Sequence, residues 1–304
     1  MKFMHACFLV GFAWVSHLQT AAKPLYEKGG GFAPDERVLY KKAFGKKEKT
    51  PDELHLEFFY PDGFAKTDSR PCIVFFFGGG WTGGDTSQFY PQSKYLASRG
   101  MVAICAQYRR SLKTAKPVWC VEDARSCIRY LRKNAAVLGL DWNRIAAGGG
   151  SAGGHLAAAT ATISAFDCKD DDFSVSAVPN ALVLFNPVFD NGPEGYGHSR
   201  VKERFREISP MHNLSKETPP TIVFLGTKDK LIPVSTAQKY KQLMEKAGRR
   251  CDLHLYKDQP HGFFNGPTRK GKFNEYYLQT VTAMDRFLVS LGYLKGEASL
   301  RRPG

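Results

Sequence analysis

Two glycine-rich stretches in this sequence hold the residue types that acyl-transfer chemistry needs. Gly149-Gly150-Ser151-Ala152-Gly153 directly follows the strand-like run Arg144–Ala147 and directly precedes an alanine-rich helical stretch, Ala157 to Ala161. A serine on a sharp strand-to-helix turn takes a strained backbone angle, and glycines two before and two after it let strand and helix pack closely. Its hydroxyl then stands above the sheet with a helix N-terminus behind it, where developing negative charge is favoured. Gly78-Gly79-Gly80-Trp81 follows a second apolar run, Cys72–Phe77. Three glycines let a backbone approach a substrate and aim N–H groups at the oxyanion of a tetrahedral intermediate; one such donor is worth about 3–4 kcal/mol in enzymes that use it. The competing chemistry for a glycine-rich turn is a phosphate cradle. That wants Gly-Lys-Ser/Thr, or the dinucleotide spacing near the first strand, and neither occurs. A lone glycine triplet can also be a plain tight turn, but two such loops, after the third and the fifth strand, argue for one shared site.

The pair of loops resembles the esterase/lipase group of α/β-hydrolases, whose members carry a His-Gly-Gly-Gly-Trp motif and a Gly-Gly-Ser-Ala-Gly-Gly-His-Leu segment. Gly149 to Leu156 matches the second. The stretch is more similar to carbohydrate-esterase and feruloyl-esterase-like members than to hormone-sensitive-lipase-like ones, which usually have Asp before the serine, where this chain has Gly150. The resemblance covers roughly residues 53 to 292. It implies Ser151 as nucleophile and the backbone N–H groups of Gly79, Gly80 and Ala152 as oxyanion donors. It departs at Phe77, which stands where the group has its histidine; in the group that histidine braces the loop, so the departure bears on loop rigidity more than on proton transfer.

The remaining partners follow in chain order, acid before histidine. The run from Leu225 to Pro233 resembles the group's acid loop, Gly-x-x-Asp followed by proline, and offers Asp229. A helix-capping aspartate is the bland reading of that position, and Asp190, after the preceding strand, is the runner-up acid. Gln259-Pro260-His261-Gly262 comes just after the last strand, where the group keeps its general base, and offers His261. His155, His198, His212 and His254 lack such a setting, and His155 is expected to pack behind the nucleophile helix. Trp81 is expected to bind substrate by walling off the acyl side, or else to pack beneath the loop. No metal or organic cofactor is implied.

These residues need elements to position them. Leu54, Leu56, Phe58 and Tyr60 alternate with His55 and Glu57, the period of a half-buried strand, so Arg37–Ala43 and Glu53–Tyr60 read as an antiparallel opening pair. Six apolar runs follow: Cys72–Phe77, Met101–Ala106, Arg144–Ala147, Ala181–Phe185, Thr221–Leu225 and Asp252–Tyr256. Short continuous apolar strands belong to a sheet covered on both faces. Between them Val121, Ala124, Ile128 and Leu131 share a helical face, as do Ala237, Tyr240, Leu243 and Met244, and a last helix runs from about Tyr276 to Leu291. The expected architecture is the α/β-hydrolase fold, a mostly parallel sheet of about eight strands with helices on both faces and a minimal cap. Sites in such sheets form at the carboxyl ends of the strands.

The bulk properties set the remaining bounds. The composition, 43% hydrophobic and 24% charged over 304 residues, is that of a globular chain without repeats. Lys2, the short apolar run Cys7–Val15 and the pair Ala21-Ala22 have the order of an export signal, so residues 1–22 are expected to be removed and 23–304 to form one domain, secreted or periplasmic. The apolar run is too short for a span, which needs about 20 residues. The net charge of +14 is scattered, with clusters at Lys46-Lys47-Glu48-Lys49 and Arg301-Arg302, and no nucleic-acid motif accompanies it. A solvated basic surface is the expectation. Cys72 and Cys105 lie in apolar runs and are expected as buried thiols, Cys120, Cys127 and Cys168 are candidates for pairing, and no cysteine has metal-site spacing. The expected reaction is hydrolysis of short-chain acyl esters, with acetyl or feruloyl groups on carbohydrate as candidate substrates and a small molecule or polysaccharide as the partner. A serine peptidase, a lipase and a non-catalytic protein on the same fold are the alternatives. The absence of a propeller or gating domain weighs against the first, and an intact triad against the last. Only 35 residues separate the sixth strand from the seventh, which leaves little lid for a lipase.

Overall fold

Alternation of apolar and polar residues opens the first pair of strands. Leu54, Leu56 and Phe58 are buried on one face of β2 (Asp52–Phe59), whose other face is covered as well, burying Glu57 and Phe59, and β1 (Glu36–Ala43) runs antiparallel to it. The computed structural model describes residues 32–44, 51–110, 116–266 and 273–300. The expected export signal at 1–22 and the basic clusters at 46–49 and 301–302 lie outside these.

Beyond the opening pair come β3 (Arg70–Phe76), β4 (Val102–Ala106), β5 (Leu140–Gly150), β6 (Ala181–Phe185), β7 (Thr221–Gly226) and β8 (Cys251–Tyr256). All eight strands form one sheet in the order β1-β2-β4-β3-β5-β6-β7-β8, and every pairing from β4 onward is parallel. Parallel neighbours need crossovers, and helices supply them. They are α1 (Tyr90–Ser98), α2 (Pro117–Lys133), α3 (Ala152–Thr162), α4 (His198–Val201), α5 (Phe205–Ile208), α6 (Val234–Lys246) and α7 (Glu275–Ser290).

The strands are apolar on both faces because both are covered. Val74, Phe76, Ile104, Ala147, Leu184 and Val223 pack with α2, α3 and α6, while Ile73, Phe75, Ala103, Ala146, Val183 and Phe224 pack with α1 and α7. The strand period of two sorts each run into these two cores. The link from β6 to β7 holds only the four-residue helices α4 and α5 and two 3₁₀ turns, in line with a minimal cap.

One expectation is corrected. Cys120, Cys127 and Cys168 form no disulfide; among the described residues all six cysteines are free, and all but Cys168 are buried. Cys120 instead donates to the carbonyl of Arg109. Among the described residues no helix is long and apolar enough to cross a membrane.

Candidate active site

The carboxyl ends of β3, β5, β6, β7 and β8 meet at one cavity of about 390 Å³, lined by Gly78 to Gly80, Ser151, Asn186, Leu231, His261 and neighbours. Ser151 sits between β5 and α3 with φ 55 and ψ −118, a conformation that L residues avoid. The close packing beneath it enforces the turn. A Cβ on Gly153 would lie 2.0 Å from the carbonyl oxygen of Phe76, and one on Gly149 would lie 2.4 Å from that of Gly153. The backbone N–H of Ser151 donates to Phe185 at 2.9 Å, and its carbonyl accepts from His155 at 3.0 Å.

Asp229 follows β7 and His261 follows β8. His261 Nδ1 lies 2.7 Å from Asp229 Oδ2, and the aspartate side chain is fully buried. Its other oxygen accepts from the backbone N–H of Leu231 at 2.8 Å and of Ile232 at 3.0 Å. A carboxylate only accepts, so Nδ1 carries the proton and Nε2 is left as the basic atom. That is the tautomer a general base requires. Asp190 is elsewhere: it accepts from the N–H of Gly192 and stands 4.0 Å from His212.

Ser151 and His261 share the cavity, yet among the described residues no hydrogen bond joins them. Nε2 instead accepts from Asn186 Nδ2 at 3.2 Å. The N–H of Gly262 donates to Asn186 Oδ1 at 3.3 Å, which fixes which way the amide faces. Asn186 is buried, directly follows β6, and has φ 34. Sequence reasoning did not single it out. The available signal was a polar residue at the carboxyl end of a parallel strand.

The glycine loop after β3 is tied down from two sides. Gly79 (φ 122) and Gly80 (φ 59) take conformations that glycine adopts freely, and a Cβ on Gly79 would meet the carbonyl of Gly83 at 2.2 Å. Gln88 accepts from the N–H of Gly78 at 2.6 Å and donates to Asn265 Oδ1 at 3.1 Å. Asn265 in turn donates to the carbonyl of Gly262 at 2.8 Å, so the glycine loop and the histidine loop are coupled. Phe77 stacks on Tyr108 with centroids 4.3 Å apart, and the Tyr108 hydroxyl donates to the Phe77 carbonyl at 2.8 Å. Rigidity expected from a motif histidine is thus supplied by Gln88 and Tyr108. Among the described residues the N–H groups of Gly79, Gly80 and Ala152 have no hydrogen-bond acceptor, which leaves them available to an oxyanion.

Of the two places expected for Trp81, the structure shows the one beneath the loop and not the substrate-binding wall. Its side chain is fully buried and forms no part of the cavity wall. The residue has φ 62, which turns the indole under the loop, edge-on to His155 at 5.1 Å between centroids. The wall above is made by Tyr196 and Arg200 from the β6–β7 link. His155 does pack behind the nucleophile on α3, its Nε2 2.9 Å from the carbonyl of Ile208.

Residues 56–188 match the BD-FAE family model, and residues 195–286 match the dienelactone hydrolase family. The chain is 38% identical to Thermogutta terrifontis esterase 2, with a TM-score of 0.79 over 90% of this chain and 99% of that one. It is 27% identical over 246 residues to an acetylxylan esterase of Xylanibacter ruminicola, and 29% identical over 204 residues to esterase LipC of Mycobacterium tuberculosis. These alignments take in 76% and 60% of this chain, and 48% and 50% of the two relatives. The chain therefore spans about half the length of the curated relatives it matches.

Proposed function

The chain belongs to the α/β-hydrolase serine esterase family, and on that premise we propose that it hydrolyses carboxylic esters of short acyl groups, with Ser151, His261 and Asp229 as its catalytic triad. The observation that carries the reading is the His261–Asp229 pair, set to leave Nε2 basic in the cavity that Ser151 enters. In the first half-reaction Ser151 Oγ bonds to the ester carbonyl carbon while its proton passes to His261 Nε2. The oxyanion is received by the N–H groups of Gly79, Gly80 and Ala152. The carbonyl–alkoxy bond then breaks, and His261 returns the proton to the departing alcohol. Water repeats the sequence on the acyl-enzyme and releases the acid. For His261 to take the serine proton, its bond from Asn186 must give way to one from Ser151, a tightening that apo sites often await until substrate binds.

Short acyl groups fit the lining. Apart from the aromatic Tyr196, only Leu231 and Phe264 are large apolar side chains there, among glycines, amides and hydroxyls. A second cavity of about 460 Å³, bounded by Asp85, Ser87, Gln88 and Asn265, adjoins it and is equally polar. Lengthening an acyl chain gains about 0.8 kcal/mol per methylene only where a groove buries it. Thermogutta esterase 2 has been solved with propionate and with butyrate bound, which favours the same size range here. The relation to an acetylxylan esterase and the polar second cavity favour acetylated carbohydrate as the alcohol. Export of residues 23–304, with residues 1–22 as the signal, completes the proposal, since polymer esters lie outside the cell.

A series of nitrophenyl esters from acetate to palmitate, run beside acetylated xylan and triglyceride, tests it. Activity should fall steeply beyond butyrate, acetylated xylan should be preferred to triglyceride, and Ser151→Ala should abolish turnover with the fold intact. An optimum at eight carbons or more would turn the reading to a lipase.

A further inference from the structure

We propose that Arg200 makes the enzyme select esters that bear a carboxylate. The inference rests on the reading of the cavity as an ester-hydrolase site and adds a substrate class to it. Arg200 is exposed, yet its guanidinium is held in place. Nη1 donates to the carbonyl of Gly80, and the group lies 5.6 Å from the ring centre of Trp81 and 6.0 Å from that of Tyr196. An arginine so stacked has already lost much of its rotamer freedom before a ligand arrives, and preorganisation of that kind favours binding.

What holds the group is not a carboxylate. Among the described residues Arg200 has no salt bridge, and no Asp or Glu lines the cavity into which it projects. The nearest catalytic acid, Asp229, is already engaged by His261 and two backbone N–H groups. Guanidinium has five N–H donors in a planar fork, and a single one goes to Gly80. The remaining fork matches the two oxygens of a carboxylate. The position is close to the chemistry: a Cβ on Gly80 would come within 3.1 Å of the Tyr196 hydroxyl and 3.4 Å of Arg200 Nη1. A phenol donor and a guanidinium thus converge on the loop proposed to hold the oxyanion. Trp81, buried beneath, gives the cation its platform.

The same contacts would let Arg200 act only as a brace on Gly80, and the test separates the two roles. Two matched pairs are hydrolysed by the wild-type protein and by Arg200→Met. In 4-acetoxybenzoate and 4-acetoxybenzamide the charge is on the alcohol side; in monophenyl adipate and phenyl adipamate it is on the acyl side. The anionic-to-neutral ratio of kcat/KM should fall in the variant by on the order of tenfold for at least one pair, as expected for loss of a charge-assisted hydrogen bond. Arg200→Lys, which keeps the charge without the fork, should fall between. A brace would lower both members of each pair by one factor, and that outcome, or an unchanged ratio in both pairs, overturns the proposal. Failure of the underlying site reading looks different: Ser151→Ala would then hydrolyse all four esters as the wild type does.

Discussion

His261 makes one hydrogen bond at each ring nitrogen, and the two together define its state. Asp229 accepts at Nδ1 and Asn186 donates at Nε2, so the Nε2 lone pair faces the cavity side of the ring. Ser151 must compete with Asn186 for that lone pair. The acid is equally well defined: Asp229 is buried behind the ring with three donors converging on it. Asp229→Asn should therefore lower kcat by about ten-thousandfold, the loss known when a triad aspartate gives way to its amide and the wrong tautomer is favoured. Asp190→Asn, which touches a backbone N–H and lies near His212, should cost far less. Steady-state kinetics of the two variants on a short nitrophenyl ester decide between them, and the reverse order would move the acid to the end of β6.

Elements meet at the nucleophile with almost no space between them. β3, β5 and the start of α3 are in contact through backbone atoms at Phe76, Gly149 and Gly153. No rotamer change can make room there, because the obstructing atoms are main chain. Gly153→Ala should cost at least the ~1–3 kcal/mol typical of overpacking, and its new methyl should push Ser151 away from the glycine loop. Gly248→Ala is the matched control. Its glycine is at positive φ, unlike the helical Gly153, and has nothing within 4 Å of the new Cβ, so it reports conformational strain without a clash. Urea unfolding of both, with activity measured alongside, separates the two costs. Equal losses in stability and activity would mean that close packing at the turn is not what requires glycine.

Across the whole molecule, His155 joins the nucleophile helix to the link between β6 and β7. Burial pushes its pKa from 6.5 down to about 4, against the hydrogen bond to Ile208 and the nearby Asn191 side chain, which favour the charged form. The sign follows from proton binding. The unfolded chain takes up a proton as pH falls through 6.5, whereas the folded protein does so only near pH 4. Stability from this residue is therefore fully present above pH 6.5 and is lost as pH falls toward 4, by roughly 3 kcal/mol in all. His155→Gln retains a donor for Ile208 and does not titrate. The fall in unfolding free energy between pH 7.5 and 4.5 should be smaller in that variant, since carboxylates titrate alike in both proteins. Equal falls would assign the acid sensitivity to other groups.

The sequence by itself determined the local features. Glycines flanking Ser151, the apolar and polar alternation in β2 and the apolar runs of the parallel strands all act over a few residues, where sterics and side-chain period dictate the backbone. The sheet and the position of Ser151 were legible for that reason, and Asp229 and His261 through the family resemblance and the chain order of serine, acid and histidine. Tertiary structure decided the rest. Positive φ at Trp81 sends the indole beneath its loop, and no periodicity records that reversal. Gln88 reaches Asn265 across 177 positions, Asn186 reaches His261 across 75, and Arg200 reaches Gly80 across 120. Which thiols are free is likewise set by how the elements pack, since five of the six described cysteines are buried. Contacts of this kind arise only when separate loops are brought together at the carboxyl edge of one sheet, so residue type and spacing cannot announce them.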